Sequence, residues 1–161
     1  MKIKVAWVSK TGKTKEPAIQ TLTDEYLKRI AHYAEIESVP VNDESAILAL
    51  AGDRGGAKGK AGGKQHPGKS RHKLVLLDAR GKQFSSEELA AFLEREQAQA
   101  LPLLFAIGGS DGFSEAARHG AELILSLGKM TLPHELARVV VLEQIYRAFT
   151  ILKKHPYHLG H

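Results

Sequence analysis

Apolar residues fall at two different spacings along the chain, and the spacing marks the elements. Lys2 to Val8 sets Ile3, Val5 and Trp7 on one face, a strand pattern, and Glu35 to Val41 reads as a second strand stopped near Pro40. Between them, Ile19, Leu22, Tyr26, Ile30 and Tyr33 recur at helical spacing, with Lys28 and Arg29 late in the run where they suit the helix dipole; the spacing predicts a helix to about Tyr33. Ser45 to Ala51 predicts two further helical turns ended by Gly52. Lys73 to Asp78 and Leu101 to Ile107 hold continuous apolar runs, as strands buried on both faces do. Ser85-x-x-Glu88 is a capping box opening a helix to about Glu96, Gly81 turns the chain before it, and Ser114 caps a short helix to Gly120. Pro133 to Lys153 predicts a last long helix with apolar residues on more than one side, a breadth that fits burial against both a sheet and a partner subunit. Alternating strands and helices imply a single α/β domain, 1–161, with a largely parallel sheet.

The most informative stretch is Leu125 to His134. Gly128 permits backbone angles closed to other residues, and Leu132-Pro133 places an extended residue before a ring suited to a first helical turn. A short strand therefore feeds through a loop straight into a helix start. Backbone N–H and C=O groups there face a space walled by Leu127, Met130 and Leu132, which fits either an ordinary strand-to-helix turn or the seat of a flat, adenosine-like ligand. Three strand ends, Leu77-Asp78, Ile107-Gly108-Gly109 and Gly128 to Pro133, can converge on one crevice, where open α/β sheets bind ligands. Gly108-Gly109-x-x-Gly112 has the wrong spacing for a dinucleotide fingerprint, and there is no Walker lysine motif.

Composition narrows the classes. A chain of 161 residues supports one domain with a proper core. The absence of cysteine excludes disulfides, thiolate metal sites and a cysteine nucleophile, and no metal is expected. No apolar run approaches membrane-spanning length, so a cytoplasmic location away from membranes is expected. The net charge of +5 is unevenly spread. Gly52 to Lys73 carries seven lysines and arginines against Asp53 alone, which leaves the rest of the chain one charge below neutrality. Its seven glycines and scarce apolar side chains predict a mobile loop over 52–72. Such a segment serves either as a solvated linker or as a binder of polyanions through phosphate contacts.

Several blocks, in order and spacing, carry a resemblance. They are Met1 to Val8, Glu25-Tyr26-Leu27-Lys28-Arg29, Ser85 to Ala90, Ile107 to Gly112, Thr131-Leu132-Pro133-His134, Leu136-Ala137-Arg138, Glu143 to Ala148 and Pro156-Tyr157-His158. Together the chain resembles SPOUT-class methyltransferases that act at N3 of a pseudouridine in 23S ribosomal RNA; the middle, roughly Asn42 to His72, does not match. The resemblance implies a SPOUT fold with a C-terminal trefoil knot, S-adenosylmethionine as cofactor, the assembled ribosome as substrate, and a homodimer. It implies cofactor contacts at Leu77, Gly109, Gly128, Lys129, Met130, Thr131, Leu132 and Pro133. It also points to a reactive tail: His158 assisting loss of the N3 proton, Tyr157 packing on the target base, and Arg138 with Arg147 at a phosphate or the developing anion. The residues alone leave a blander reading for both arginines, pairing with Glu135 and Glu143 one helical turn away, and a structural one for His134. Asp78 reads as a loop-capping carboxylate. Two other functions compete: a non-catalytic RNA- or ribosome-binding protein working through Gly52 to Lys73, and a small-molecule methyltransferase of the same fold.

Overall fold

The computed structural model describes residues 1–52 and 72–159, with the side chains of His158 and Leu159 excepted. In chain order the elements are β1 (Lys2–Val8), α1 (Pro17–Ile30), β2 (Glu35–Val41), α2 (Glu44–Ala51), β3 (Lys73–Gln83), α3 (Ser86–Ala98), β4 (Leu103–Ile107), α4 (Glu115–Gly120), β5 (Leu123–Ser126), α5 (His134–Leu152) and a 3₁₀ turn (Pro156–Leu159). The strands form one parallel sheet in the order β2-β1-β4-β3-β5. At its centre all five residues of β4 are buried, which is why that run is apolar throughout.

Alternation along β1 sorts its side chains into two cores. Ile3, Val5 and Trp7 face Ile30 of α1, Leu89, Phe92 and Leu93 of α3, and Leu142, Ile145 and Phe149 of α5. Ala6 faces the other way, with Leu74, Leu76, Leu104 and Ala106, onto Ile47 of α2 and Phe113 and Ala117 beside and within α4. The sheet is thus sandwiched between α1, α3 and α5 on one face and α2 and α4 on the other.

Local chemistry fixes the helix ends. Pro17 starts α1, where its missing N–H costs nothing. Asp43 accepts a hydrogen bond from the Ala46 N–H at 3.0 Å, and Gly52, at φ 76°, ends α2. The expected box at α3 is complete: Ser85 Oγ accepts from the Glu88 N–H at 3.2 Å, while Glu88 Oε2 accepts from the Ser85 N–H at 2.7 Å. Ser114 caps α4 by accepting from the Ala117 N–H at 3.2 Å. The predicted 52–72 loop falls on residues 53–71, which lie outside the described residues.

Two boundaries differ from the sequence pattern. Helix α1 ends at Ile30 rather than Tyr33; Tyr33 sits in the following turn, its ring stacked on Phe149 with centroids 5.7 Å apart, so packing kept the apolar spacing going past the helix. Strand β3 continues beyond Asp78 to Gln83, and Gly81 lies inside it rather than in a separate turn. Leu77 and Lys82 both pair with Leu125 across a register shift. The residues between them are accommodated as an irregularity in the ladder. Gly81 lies within it, pressed on the main chain of β5: a Cβ there would stand 2.6 Å from the carbonyl oxygen of Ile124.

Candidate functional site

At the carboxyl ends of β3, β4 and β5 lies a cavity of about 720 Å³. Its walls come from Leu77 to Arg80, from Ile107 to Gly112, and from the loop that joins β5 to α5. Of the residues expected to hold a cofactor, Leu77, Gly109, Gly128, Met130, Thr131, Leu132 and Pro133 all line it; Lys129 is exposed and lies outside the lining. Ser126 shapes the loop by accepting from the Gly128 N–H at 3.1 Å and donating to the Gly128 carbonyl at 3.0 Å, and Gly128 takes φ 135°. Met130 is 85% exposed, an apolar side chain left in water at the cavity mouth.

Asp78 brings a carboxylate to this wall, and the chain already engages it. Oδ1 accepts from the Arg80 N–H at 2.9 Å, and Oδ2 accepts from Arg118 Nη2 at 2.8 Å. Sequence suggested a loop cap; Asp78 instead lies within β3, where these contacts occupy its carboxylate. With that charge paired, the cavity offers apolar walls and main-chain groups, which suits a flat heterocycle with a polar rim better than a metal ion. Among the described residues no cluster of metal-ligating side chains occurs. Nor is any described helix long and apolar enough to cross a membrane.

Behind the cavity, His134 lines the wall and stacks on Trp7 with centroids 6.4 Å apart, which gives it a structural contact as well as a place in the lining. Arg138, one turn further along α5, is buried, with its guanidinium 3.9 Å from the centre of the Trp7 ring. Nη2 donates to Thr14 Oγ1 at 2.7 Å, while Nε is buried without a partner. Burial pulls its pKa below the ordinary guanidinium value, against the opposing charges of Glu135 and Asp24. Arg138 therefore stands behind the lining and not in it, and its expected pairing with Glu135 gives way to Thr14; Glu135 instead accepts from the Lys15 N–H at 3.0 Å.

The tail lies elsewhere. Tyr157 packs edge-on against Tyr146 with centroids 4.7 Å apart, and its hydroxyl donates to Glu143 Oε1 at 3.3 Å. Burial, then Tyr26 and Glu143, push its pKa up, so this hydroxyl keeps its proton. Arg147 pairs with Glu143 at 2.8 Å, as helix spacing predicted, and lies 5.1 Å from the Tyr157 ring centre. The backbone of His158 belongs to the same 3₁₀ turn, and its side chain lies outside the description. The cavity touches α5 at His134 and Ala137, whereas Tyr157 sits by Glu143 and Tyr146; at 1.5 Å of rise per residue the two are roughly 9–18 Å apart along the helix.

Comparison with known proteins decides the kinship. The family described as "Predicted SPOUT methyltransferase" matches residues 1–158. The chain belongs to the SPOUT methyltransferase family. Its SPOUT relatives include a protein of Koribacter versatilis named ribosomal RNA large subunit methyltransferase H, 51% identical with the whole of both chains covered. A protein of the same name from Gloeobacter violaceus is 45% identical, covering 99% of this chain and all of that one. Among solved structures, a probable methylase family protein from Haemophilus influenzae shares the fold with a TM-score of 0.51 and 10% identity, over 98% of this chain and 69% of the other.

On this SPOUT scaffold, Ala79, Arg80, Ser110, Asp111 and Ala137 also line the cavity, though the sequence did not single them out. The signal for most of them was present: each follows one of the strand ends predicted to converge, and a contact set drawn as whole strand ends would have included them.

Proposed function

We propose that this chain transfers a methyl group from S-adenosylmethionine to N3 of a pseudouridine in the 23S rRNA of the assembled ribosome, and that it works as a homodimer in the cytoplasm. The observation that carries the reading is the cavity itself, where Leu77, Gly109 and the Gly128–Pro133 loop meet in a chain of this family. Relatives of nearly equal length are named as large-subunit ribosomal RNA methyltransferases, which supports the substrate.

The cavity fits a bent nucleoside cofactor: Leu77, Leu127 and Leu132 give apolar contact for a purine ring, and the main chain around Gly128 and Gly109 gives its edge donors and acceptors. S-adenosylmethionine, when bound, supplies a methyl group on a sulfonium, already a good leaving group. The work left to the protein is to hold the acceptor base in line and take up the N3 proton. His158 carries an imidazole, a common proton acceptor in catalysis, while Tyr157 stays protonated and serves as a packing surface.

The homodimer follows from distance. The Tyr157 tail packs on its own α5 away from its own cavity, so a tail supplied by the second subunit is the economical way to bring His158 to a bound base. The family's trefoil knot belongs to the same reading, which the SPOUT family match supports.

The test is transfer of labelled methyl from S-adenosylmethionine to ribosomes that lack the modification, with free rRNA alongside. Product mapped by mass spectrometry to N3 of a pseudouridine is the expected result. Cofactor binding without transfer to either RNA would favour a small-molecule acceptor, and failure to bind cofactor would favour a non-catalytic RNA binder. Full activity of His158→Ala would remove the base assignment.

A further inference from the structure

The segment joining β1 to α1 contributes nothing to the cavity lining, yet it carries Lys10, Lys13 and Lys15 with no acidic residue before Glu16. All three lysines are exposed. The ion pairs found among the described residues involve other cations. Because the chain outside Gly52 to Lys73 is one charge below neutrality, three uncompensated cations in six residues form a local excess.

The loop is held, and held beside the cavity. Its first N–H, at Ser9, donates to the Val41 carbonyl at 2.8 Å. Thr14 Oγ1 donates to Gln20 Oε1 at 2.9 Å and accepts from Arg138 Nη2 at 2.7 Å. The Lys15 N–H donates to Glu135 Oε1 at 3.0 Å, one residue from His134 in the cavity wall. On the other side, a Cβ added to Gly109 would stand 3.6 Å from Val8, at the end of the strand from which the loop springs. Arg138 adds a second anomaly. Among the described residues it is buried with a hydroxyl as its hydrogen-bond partner and no carboxylate paired with it, directly beneath a cationic loop. Glu135 and Asp24 favour its charge without an ion pair, and the Thr14 hydroxyl ties it to the loop that carries the exposed lysines.

We propose that the Lys10–Lys15 loop is a phosphate-docking surface for the RNA substrate, and that Arg138, through Thr14, is its positioning residue. The proposal rests on the rRNA methyltransferase reading and adds where the RNA backbone is held. Lysines are point charges without stacking partners, so the loop fixes the position of the strand at the cavity rim and leaves choice of the base to the site itself.

The experiment replaces Lys10, Lys13 and Lys15 together by glutamine and measures binding of large ribosomal subunits over a range of salt, with S-adenosylmethionine binding followed by calorimetry. The expected result is a salt slope smaller by roughly 2–3 and affinity lower by roughly tenfold near physiological salt, with cofactor affinity unchanged. Arginine at the same three positions should restore the slope. Thr14→Val, which keeps the lysines and removes the anchor, should weaken binding several-fold without changing the slope. A glutamine variant with wild-type slope and affinity would overturn the docking surface, and unchanged binding by Thr14→Val would overturn the positioning role. If the wild-type chain shows no salt-dependent binding to the subunits, the rRNA reading falls along with the loop.

Discussion

At Gly81 a methyl group would meet the main chain of Ile124 at 2.6 Å, whereas at Gly128 it would meet nothing within 4 Å but would have to adopt φ 135°. The two glycines are thus required for different reasons, one for space and one for backbone conformation. Gly81→Ala is expected to lower unfolding free energy by about 2 kcal/mol in a denaturant titration, because the added group would meet main chain and not a flexible side chain that can yield. Gly128→Ala should change stability by only about 1 kcal/mol while weakening S-adenosylmethionine binding roughly tenfold by calorimetry, since the residue shapes a ligand wall and not the core. Equal losses of stability in both variants would refute the distinction. Sequence exposed one of these cases and hid the other. A glycine before Leu132-Pro133 announces an unusual turn, but the reason for Gly81 lies in a strand more than forty residues later. Arg147 was legible because its partner, Glu143, sits one helical turn away; Arg138 was not, because its surroundings, Trp7 and Thr14, are supplied from the far end of the chain.

Helix α5 separates two functions along its length, with the cavity at its first turns and the Tyr157 tail near its last. A chain ending after Lys154 is expected to keep its fold and its cofactor affinity within about twofold, because the buried face of α5 ends by Leu152, while methyl transfer falls by at least roughly a hundredfold. Loss of cofactor binding on truncation would show that the tail belongs to its own cavity. The Tyr157 hydroxyl gives this contact a pH signature. Its pKa is raised above the ordinary 10.0, so the folded state holds the proton more tightly than the unfolded state does. The stabilisation from tail packing is therefore complete below pH 10 and declines as pH rises beyond it. Tyrosinate absorbance, compared between wild type and Tyr157→Phe, should show this group titrating above 10; titration at or below that value would contradict the packed tail. Elements were legible from sequence where local chemistry or an unbroken apolar run decides: the capping box of α3, the buried run of β4 and the long α5. Strand β3 was cut short at Asp78 because Arg80, Lys82 and Gln83 look like solvent-facing loop, and only pairing with β5 gives their backbone a ladder.

For the whole molecule, the separation of tail and cavity makes a strong demand: activity should be divisible between subunits. Mixing a tail-truncated chain with Gly128→Ala, each weak alone, should recover up to about a quarter of wild-type methyl transfer after statistical re-association, since half of the dimers would carry one intact composite site. No recovery, with mixed dimers verified by mass, would confine each site to one chain. The parallel α/β architecture was legible from the alternation of apolar runs. The margin of the sheet at β2 has a further consequence, for solubility. An open sheet has margins at which a foreign strand could add, and this one is blunted. There β2 presents Pro40, which has no N–H to donate, and the charges of Glu35 and Glu37 paired to Lys2 and Lys4. The proline and the paired charges thus act as a guard against strand-by-strand polymerisation, and a variant that removes them should aggregate at concentrations the wild type tolerates.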